Sequence, residues 1–177
     1  MEYRLIRSGR KSISIRICQD GQIEVRAPRS CPADQIGEIL EKKKAWIERN
    51  RTRQKEQARL RGENRLSPEE EKAAKEEACC RLSERTAWYA RNMGVSYGKI
   101  TVREQKTRWG SCSSRGNLNF NWKLVRMPPE ILDYVVVHEL AHRKEMNHSK
   151  AFYEIVASVL PDYRERERWL REHGGEY

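Results

Sequence analysis

The chain has 177 residues, enough for one domain of ordinary size or a small domain with an appendage. Apolar residues make up 37% and charged residues 35%, so one core can form while much of the chain is solvated helix. The net charge is +10, the N-terminus starts directly with charge, and no run approaches membrane-spanning length, so neither a signal peptide nor a membrane span is expected.

In chain order, residues 11–28 alternate. Ile13, Ile15 and Ile17 share one face, Gln19-Asp-Gly-Gln22 reads as a turn, and Ile23 and Val25 resume the pattern, which predicts a hairpin. Pro28 and Pro32 end it. A helix is expected from about Ala33, with Ile36, Ile39, Leu40, Lys43, Trp46 and Ile47 near helical spacing. From Glu48 to Arg65 the chain is almost wholly polar, and reads as an extension of that helix that frays near Gly62. Leu66-Ser-Pro-Glu-Glu70 starts another helix, with Ser67 as cap, Pro68 at the first position and Glu70 completing a capping box. It should run to about Asn92 and stop at Gly94, with Ala74, Ala78, Leu82, Ala87 and Trp88 inward and Cys79 and Cys80 as packing residues.

Strands are expected at 99–103, 108–112 and 117–122, with Ser113-Ser-Arg-Gly116 as a turn. Trp109, Phe120 and Trp122 read as core. Met127-Pro-Pro-Glu130 opens a buried helix with an apolar face of Ile131, Leu132, Val135, Val136, Leu140 and Ala141. The polar Lys144, Glu145 and Asn147 end it. Ser149 then caps a helix from Lys150 to about Leu160, with Phe152, Ile155, Val156 and Val159 on one face.

The buried helix carries His138-Glu-Leu-Ala-His142, and His148 follows. Two histidines four residues apart point the same way on a helix and can share one tetrahedral metal. Glu139 projects beside the first and can take a proton from a metal-activated water. The chain has four histidines, and three are here. A coincidental pair on a buried helix is the competing explanation for the motif, and a surface histidine before a helix is the one for His148. Glu154 is the rival third ligand. Cys112 as a nucleophile is not needed to explain the histidines.

The five cysteines, Cys18, Cys31, Cys79, Cys80 and Cys112, are odd in number and irregularly spaced, which favours reduced thiols and a cytoplasmic location. No C-x-x-C pair exists, so no zinc ribbon is expected. Charge is unevenly placed. Residues 1–66 hold 17 Lys and Arg against nine Asp and Glu, and residues 67–177 hold 19 against 17. The first third is thus a candidate footprint for nucleic acid, or a solvated basic helix that serves solubility. Its aromatics are few, and no helix-turn-helix or finger signature is visible.

The order of elements with these motifs resembles the YgjP-like metallopeptidase family, which is related to SprT-like proteases. The resemblance is carried by Thr107-Arg-Trp-Gly-Ser-Cys112, Asn117-Leu-Asn-Phe-Asn121, His138 to His142, Asn147-His-Ser149 and Pro161-Asp-Tyr163. The basic hairpin and the helix with Ala45-Trp-Ile47 extend it over nearly the whole chain. It implies an α+β zincin-like core over residues 67–177: a helix, a small antiparallel or mixed sheet, the motif helix and a C-terminal helix. A basic β-hairpin and helix precede it over residues 1–66. It also implies one zinc per chain at His138, His142 and His148, with Glu139 catalytic. Metzincins share the ligand spacing but carry Gly where this chain has Glu145, so they are set aside.

The expected substrate is a peptide or protein. Arg108, Trp109 and Asn119 are candidate substrate-binding residues. Tyr153, Tyr163, His173 and Arg108 are candidate oxyanion donors, Tyr153 first among them. Asn147 is a candidate for orienting an imidazole, or a turn residue. Two alternatives stand beside a simple zinc peptidase. One is a protease recruited to nucleic acid by the basic region. The other is a non-catalytic zinc-stabilised or nucleic-acid-binding module.

Overall fold

The computed structural model describes residues 2–18, 20–105 and 107–177. The chain is mixed α+β and divides into two compact units, one up to Arg65 and one from Leu66. Among the described residues, no helix is long and apolar enough to cross a membrane.

The first unit contains β1 (Arg4–Ser8), β2 (Ser14–Ile17), β3 (Ile23–Pro28), α1 (Ala33–Lys42) and α2 (Lys44–Glu63). The expected hairpin is β2 paired antiparallel with β3; Gln19 of its turn lies outside the described residues. β1 adds a strand parallel to β3 on the other side, so the order is β1-β3-β2. Central β3 supplies Ile23, Val25 and Ala27 to a small core with Ile36, Leu40 and Ile47. The single helix expected from Ala33 is two, because Lys43 leaves helical geometry at φ −101°, ψ 5°. α2 continues in regular form to Glu63. It is polar on nearly all sides and holds itself with pairs such as Arg59 to Glu56 and Glu63.

The second unit contains α3 (Pro68–Met93), β4 (Ile100–Arg103), β5 (Gly110–Cys112), β6 (Leu118–Asn121), α4 (Pro129–Ala141), α5 (Lys150–Val159) and α6 (Tyr163–His173). The capping box is complete: Ser67 Oγ accepts from the Glu70 N–H at 3.2 Å, and the Glu70 carboxylate accepts from the Ser67 N–H at 2.8 Å. Gly94 ends α3 at φ 62°, a left-handed conformation that glycine adopts without a Cβ penalty. The buried stripe of α3 differs from expectation. Leu82 is followed inward by Thr86, Tyr89, Ala90 and Met93, while Ala87 and Trp88 are exposed. Trp88 lies six residues beyond Leu82, which turns it about 120° off the buried stripe of a 3.6-residue helix. Cys79 and Cys80 are exposed rather than packed.

β6 is central in the second sheet, parallel to β4 and antiparallel to β5. A 3₁₀ turn, Trp122–Arg126, ends β6, and the Asn121 side chain accepts from the Lys123 N–H at 3.1 Å. α4 runs through the core against α3, α5, α6 and β5. Most of its residues are buried, including every one expected inward, as for a helix apolar on most sides. Asp133 ties it to α3 by accepting two bonds from Arg85 at 2.7 Å and one from the Tyr89 hydroxyl at 3.1 Å. α6 was not anticipated; it covers α4 with Tyr163, Trp169 and Leu170.

Candidate metal centre

α4 ends at Ala141, so His138 sits in its last turn and His142 at its C-cap. The chain then tightens: the Lys144 and Glu145 N–H groups both bond the Ala141 carbonyl at 3.0 Å. This turn sends the chain back, and His148 arrives just before α5, whose cap Ser149 accepts from the Phe152 N–H at 3.3 Å. One ligand atom from each of His138, His142 and His148 lies within 4.8 Å of the others. The Nε2 atoms of His138 and His148 face each other at 3.0 Å.

Phe152 is a residue that sequence reasoning placed only in a core stripe. It is fully buried, and its ring centroid lies 4.9 Å from His138, 4.6 Å from His142 and 4.9 Å from His148. It forms an apolar floor under all three imidazoles. Its position three residues after the Ser149 cap was the available signal.

The donor set fits a divalent metal. Metals take neutral imidazole. Burial, then the neighbouring imidazoles, push the His138 ring down to about 3. Burial also lowers His142, against the opposing hydrogen bond to Glu145. His142 Nδ1 lies 3.1 Å from the Glu145 carbonyl. In the tautomer that donates there, Nε2 keeps its lone pair for a ligand. Three nitrogen donors suit a borderline-soft ion better than magnesium or calcium, which prefer oxygen.

Glu139 is 5% exposed, lines the same cavity as the three histidines and lies against Gly110 of β5. A Cβ on Gly110 would lie 2.5 Å from Glu139 Oε1 and 2.7 Å from its Cγ, so the strand accepts this carboxylate only because residue 110 is glycine. Burial pushes Glu139 up to about 8, and the charge of Arg108 opposes that rise. Two cavities meet at Glu139. One, of about 350 Å³, is lined by the three histidines with Arg108, Gly110 and Cys112. The other, of about 340 Å³, lies toward Trp109, Tyr134 and Leu170. Gly110, His138 and Glu139 line both.

The remaining candidates fall as follows. Arg108 lies in the histidine cavity and Trp109 in the second one, half-buried. Asn119 is on central β6, bonded to Ser111 Oγ at 3.3 Å, and lines neither cavity. Tyr153 is stacked on Tyr163 at 5.7 Å and 6.4 Å from the His148 ring, and is also outside both. His173 packs on Trp169 at 4.9 Å. Glu154 is exposed and pairs with Lys150 at 3.6 Å, away from the histidine group. Asn147 is exposed in the turn, its N–H donating to the Glu145 carboxylate at 3.3 Å. Cys112 lines the histidine cavity, but burial and then the Glu139 charge raise its thiol, which disfavours the thiolate a nucleophile needs. Tyr134, one turn before His138 and facing the second cavity, is a site residue that sequence reasoning did not single out.

The family model described as "YgjP-like, metallopeptidase domain" matches residues 11–74 and 61–173. The chain belongs to the YgjP-like family. That description implies a metal-dependent hydrolase and a divalent metal at its centre. A stretch of 40 residues is 48% identical to the UTP pyrophosphatase of Escherichia coli (strain K12), over 23% of this chain. The match spans about a quarter of that relative, 24% of its length. Two solved structures are similar over 51% of this chain. They are the metallopeptidase zymogens abylysin of Pyrococcus abyssi (23% identity, 92% of that chain, TM-score 0.46) and jannalysin of Methanocaldococcus jannaschii (21%, 93%, 0.46).

Proposed function

We propose that this family member is a zinc-dependent peptidase in which His138, His142 and His148 hold the metal and Glu139 is the general base. The observation that carries the reading is the convergence of three imidazole nitrogens within 4.8 Å beside one buried carboxylate. Zinc held by these three histidines would supply a Lewis acid and make water acidic near neutral pH. Glu139 takes the proton of the attacking water and passes it to the leaving amine. Arg108 favours the charged, proton-accepting form of Glu139. Gly110 fixes where that carboxylate stands. The Glu145 carbonyl orients the His142 ring. Cys112 stays a thiol and takes no covalent part. A peptide or protein is the substrate.

The test is Glu139→Gln assayed on denatured protein and peptide pools after zinc loading. The variant should keep its zinc and lose cleavage. Retained turnover would remove Glu139 from the role of base.

A second reading is hydrolysis of a nucleoside triphosphate at the same centre. The 48%-identical stretch shared with UTP pyrophosphatase favours it, as does Arg108 in the histidine cavity, a cation suited to phosphate. Pyrophosphate release from UTP by the wild type, absent in Glu139→Gln, with no peptide cleaved, would replace the peptidase reading with this one.

A further inference from the structure

We propose that the cavity on the Trp109 side of Glu139 is a subsite for one large apolar side chain, aromatic by preference, next to the bond that is cut. This rests on the peptidase reading above and gives its substrate class.

The cavity shares Gly110, His138 and Glu139 with the histidine cavity, so a group held in it adjoins the candidate base. Its volume of about 340 Å³ is near the lower end of ligand pockets, which run from ~300 to ~1,000 Å³ and suit one side chain here rather than an extended ligand. Trp109, Tyr134, Val135 and Leu170 form its walls. Two are aromatic, and offset or edge-on packing with an incoming ring is the arrangement such walls favour.

The walls are fixed from behind. The Trp109 carbonyl accepts from the Asn121 N–H at 2.8 Å, which holds the strand end. A Cβ on Gly174 would lie 3.1 Å from the Trp109 indole nitrogen, so the C-terminal turn lies close against the ring. Tyr134 is 4% exposed and set by α4 itself. Burial, then the Glu167 charge, keep its phenol protonated. The charges select against anions. Glu139 and the half-buried Glu167 both line the cavity, while Arg171 is exposed. An acidic side chain or a phosphate group held there would face the Glu167 carboxylate.

The test uses the full chain in two arms. In the first, metal-free protein is titrated with N-acetyl-phenylalaninamide, N-acetyl-aspartamide or UTP while the Trp109 indole N–H is followed by NMR, assigned with Trp109→Phe. The phenylalanine amide should shift it, together with the Val135 and Leu170 methyls, and the aspartate amide should not. Equal shifts from both amides, a larger response to UTP, or an unmoved Trp109 would overturn the proposal. In the second arm, zinc-loaded protein is given peptide pools. Bonds flanked by Phe, Tyr or Leu should be cut about ten-fold or more faster, in kcat/KM, than the same bonds flanked by Ala. Leu170→Trp, which fills the cavity, should bring that ratio toward one. Leu170→Ala, which enlarges it, should move the preference toward Trp and serves if the first variant does not fold. Cleavage without side-chain preference would remove the subsite and leave the peptidase reading standing. Zinc bound with no peptide cleaved would remove both, even if Trp109 still answered to the phenylalanine amide.

Discussion

The two units are built on the same sheet. In each, the third strand is central, the first is parallel to it and the second antiparallel: β1-β3-β2 and β4-β6-β5. They differ in what the antiparallel edge strand carries and what faces it. In the first unit the edge is Ser14–Ile17, with Ile15 and Ile17 packed on the small core. In the second it is Gly110–Cys112, and Gly110 admits the carboxylate of Glu139 from α4. The first unit also carries most of the net positive charge, 17 Lys and Arg against nine Asp and Glu up to Arg65, where the second is nearly balanced. A sheet of this order therefore does not make a site. What sets the second sheet apart is one missing Cβ on its edge, opposite a helix that carries histidines and a carboxylate.

The largest effect is expected at the carboxylate. Glu139→Gln should lower turnover by about 10²–10⁴-fold with zinc content unchanged, measured by steady-state hydrolysis beside metal analysis. Gly110→Ala comes next. Its Cβ must push Glu139 aside, and a misplacement of ~1 Å costs on the order of 10²-fold. The loss should appear in kcat, with zinc still bound, whereas Ser14→Ala on the edge strand of the first sheet should leave kcat unchanged. Equal effects from the two would erase the distinction drawn between the edges.

The histidine motif, the capping box of α3 and the hairpin are legible in the sequence because each is a local rule with a fixed spacing. Features that depend on a distant partner are not. β1 pairs in parallel with a strand some twenty residues on, and its adjacent Leu5 and Ile6 break the alternation that marks β2. α6 hides its apolar stripe of Tyr163, Trp169 and Leu170 among Arg and Glu residues, so its sequence reads as polar. Trp88 was expected inward on hydrophobicity, but which face of α3 is buried is set by α4 and the 3₁₀ turn after β6. Gly110 is visible as a glycine in a strand, a sign of close approach, but only the fold names Glu139 as the group that approaches.

Smaller effects sharpen the contrast in charge. If the first unit is a nucleic-acid footprint, binding of single-stranded RNA or duplex DNA should weaken roughly ten- to a hundred-fold between ~50 and ~200 mM salt. Glu139→Gln should leave that binding unchanged. No binding at low salt, by fluorescence anisotropy, would reduce the basic surface to a solubility device.

The smallest effect concerns the metal-stripped protein. Folded Glu139 holds its proton up to about 8, against 4.5 for the ordinary group, so the folded state binds the extra proton and stability should fall as pH rises through that window. Folded His138 stays neutral down to about 3, against 6.5, so the unfolded state binds the extra proton there and stability should rise with pH. The two oppose between 4.5 and 6.5, which places the site's own stability maximum in that interval. Thermal unfolding in chelator across pH checks this. Glu139→Gln should remove the decline on the alkaline side, and a decline that persists in the variant would assign it elsewhere.

Every role proposed at this centre depends on three histidines converging to hold one metal. The most direct measurement is the metal content of untagged protein purified without added metal, beside His148→Ala. About one zinc per chain is expected, lost or strongly reduced in the variant. Protein that binds no stoichiometric metal even when zinc is offered, or a variant that keeps the full complement, would contradict it.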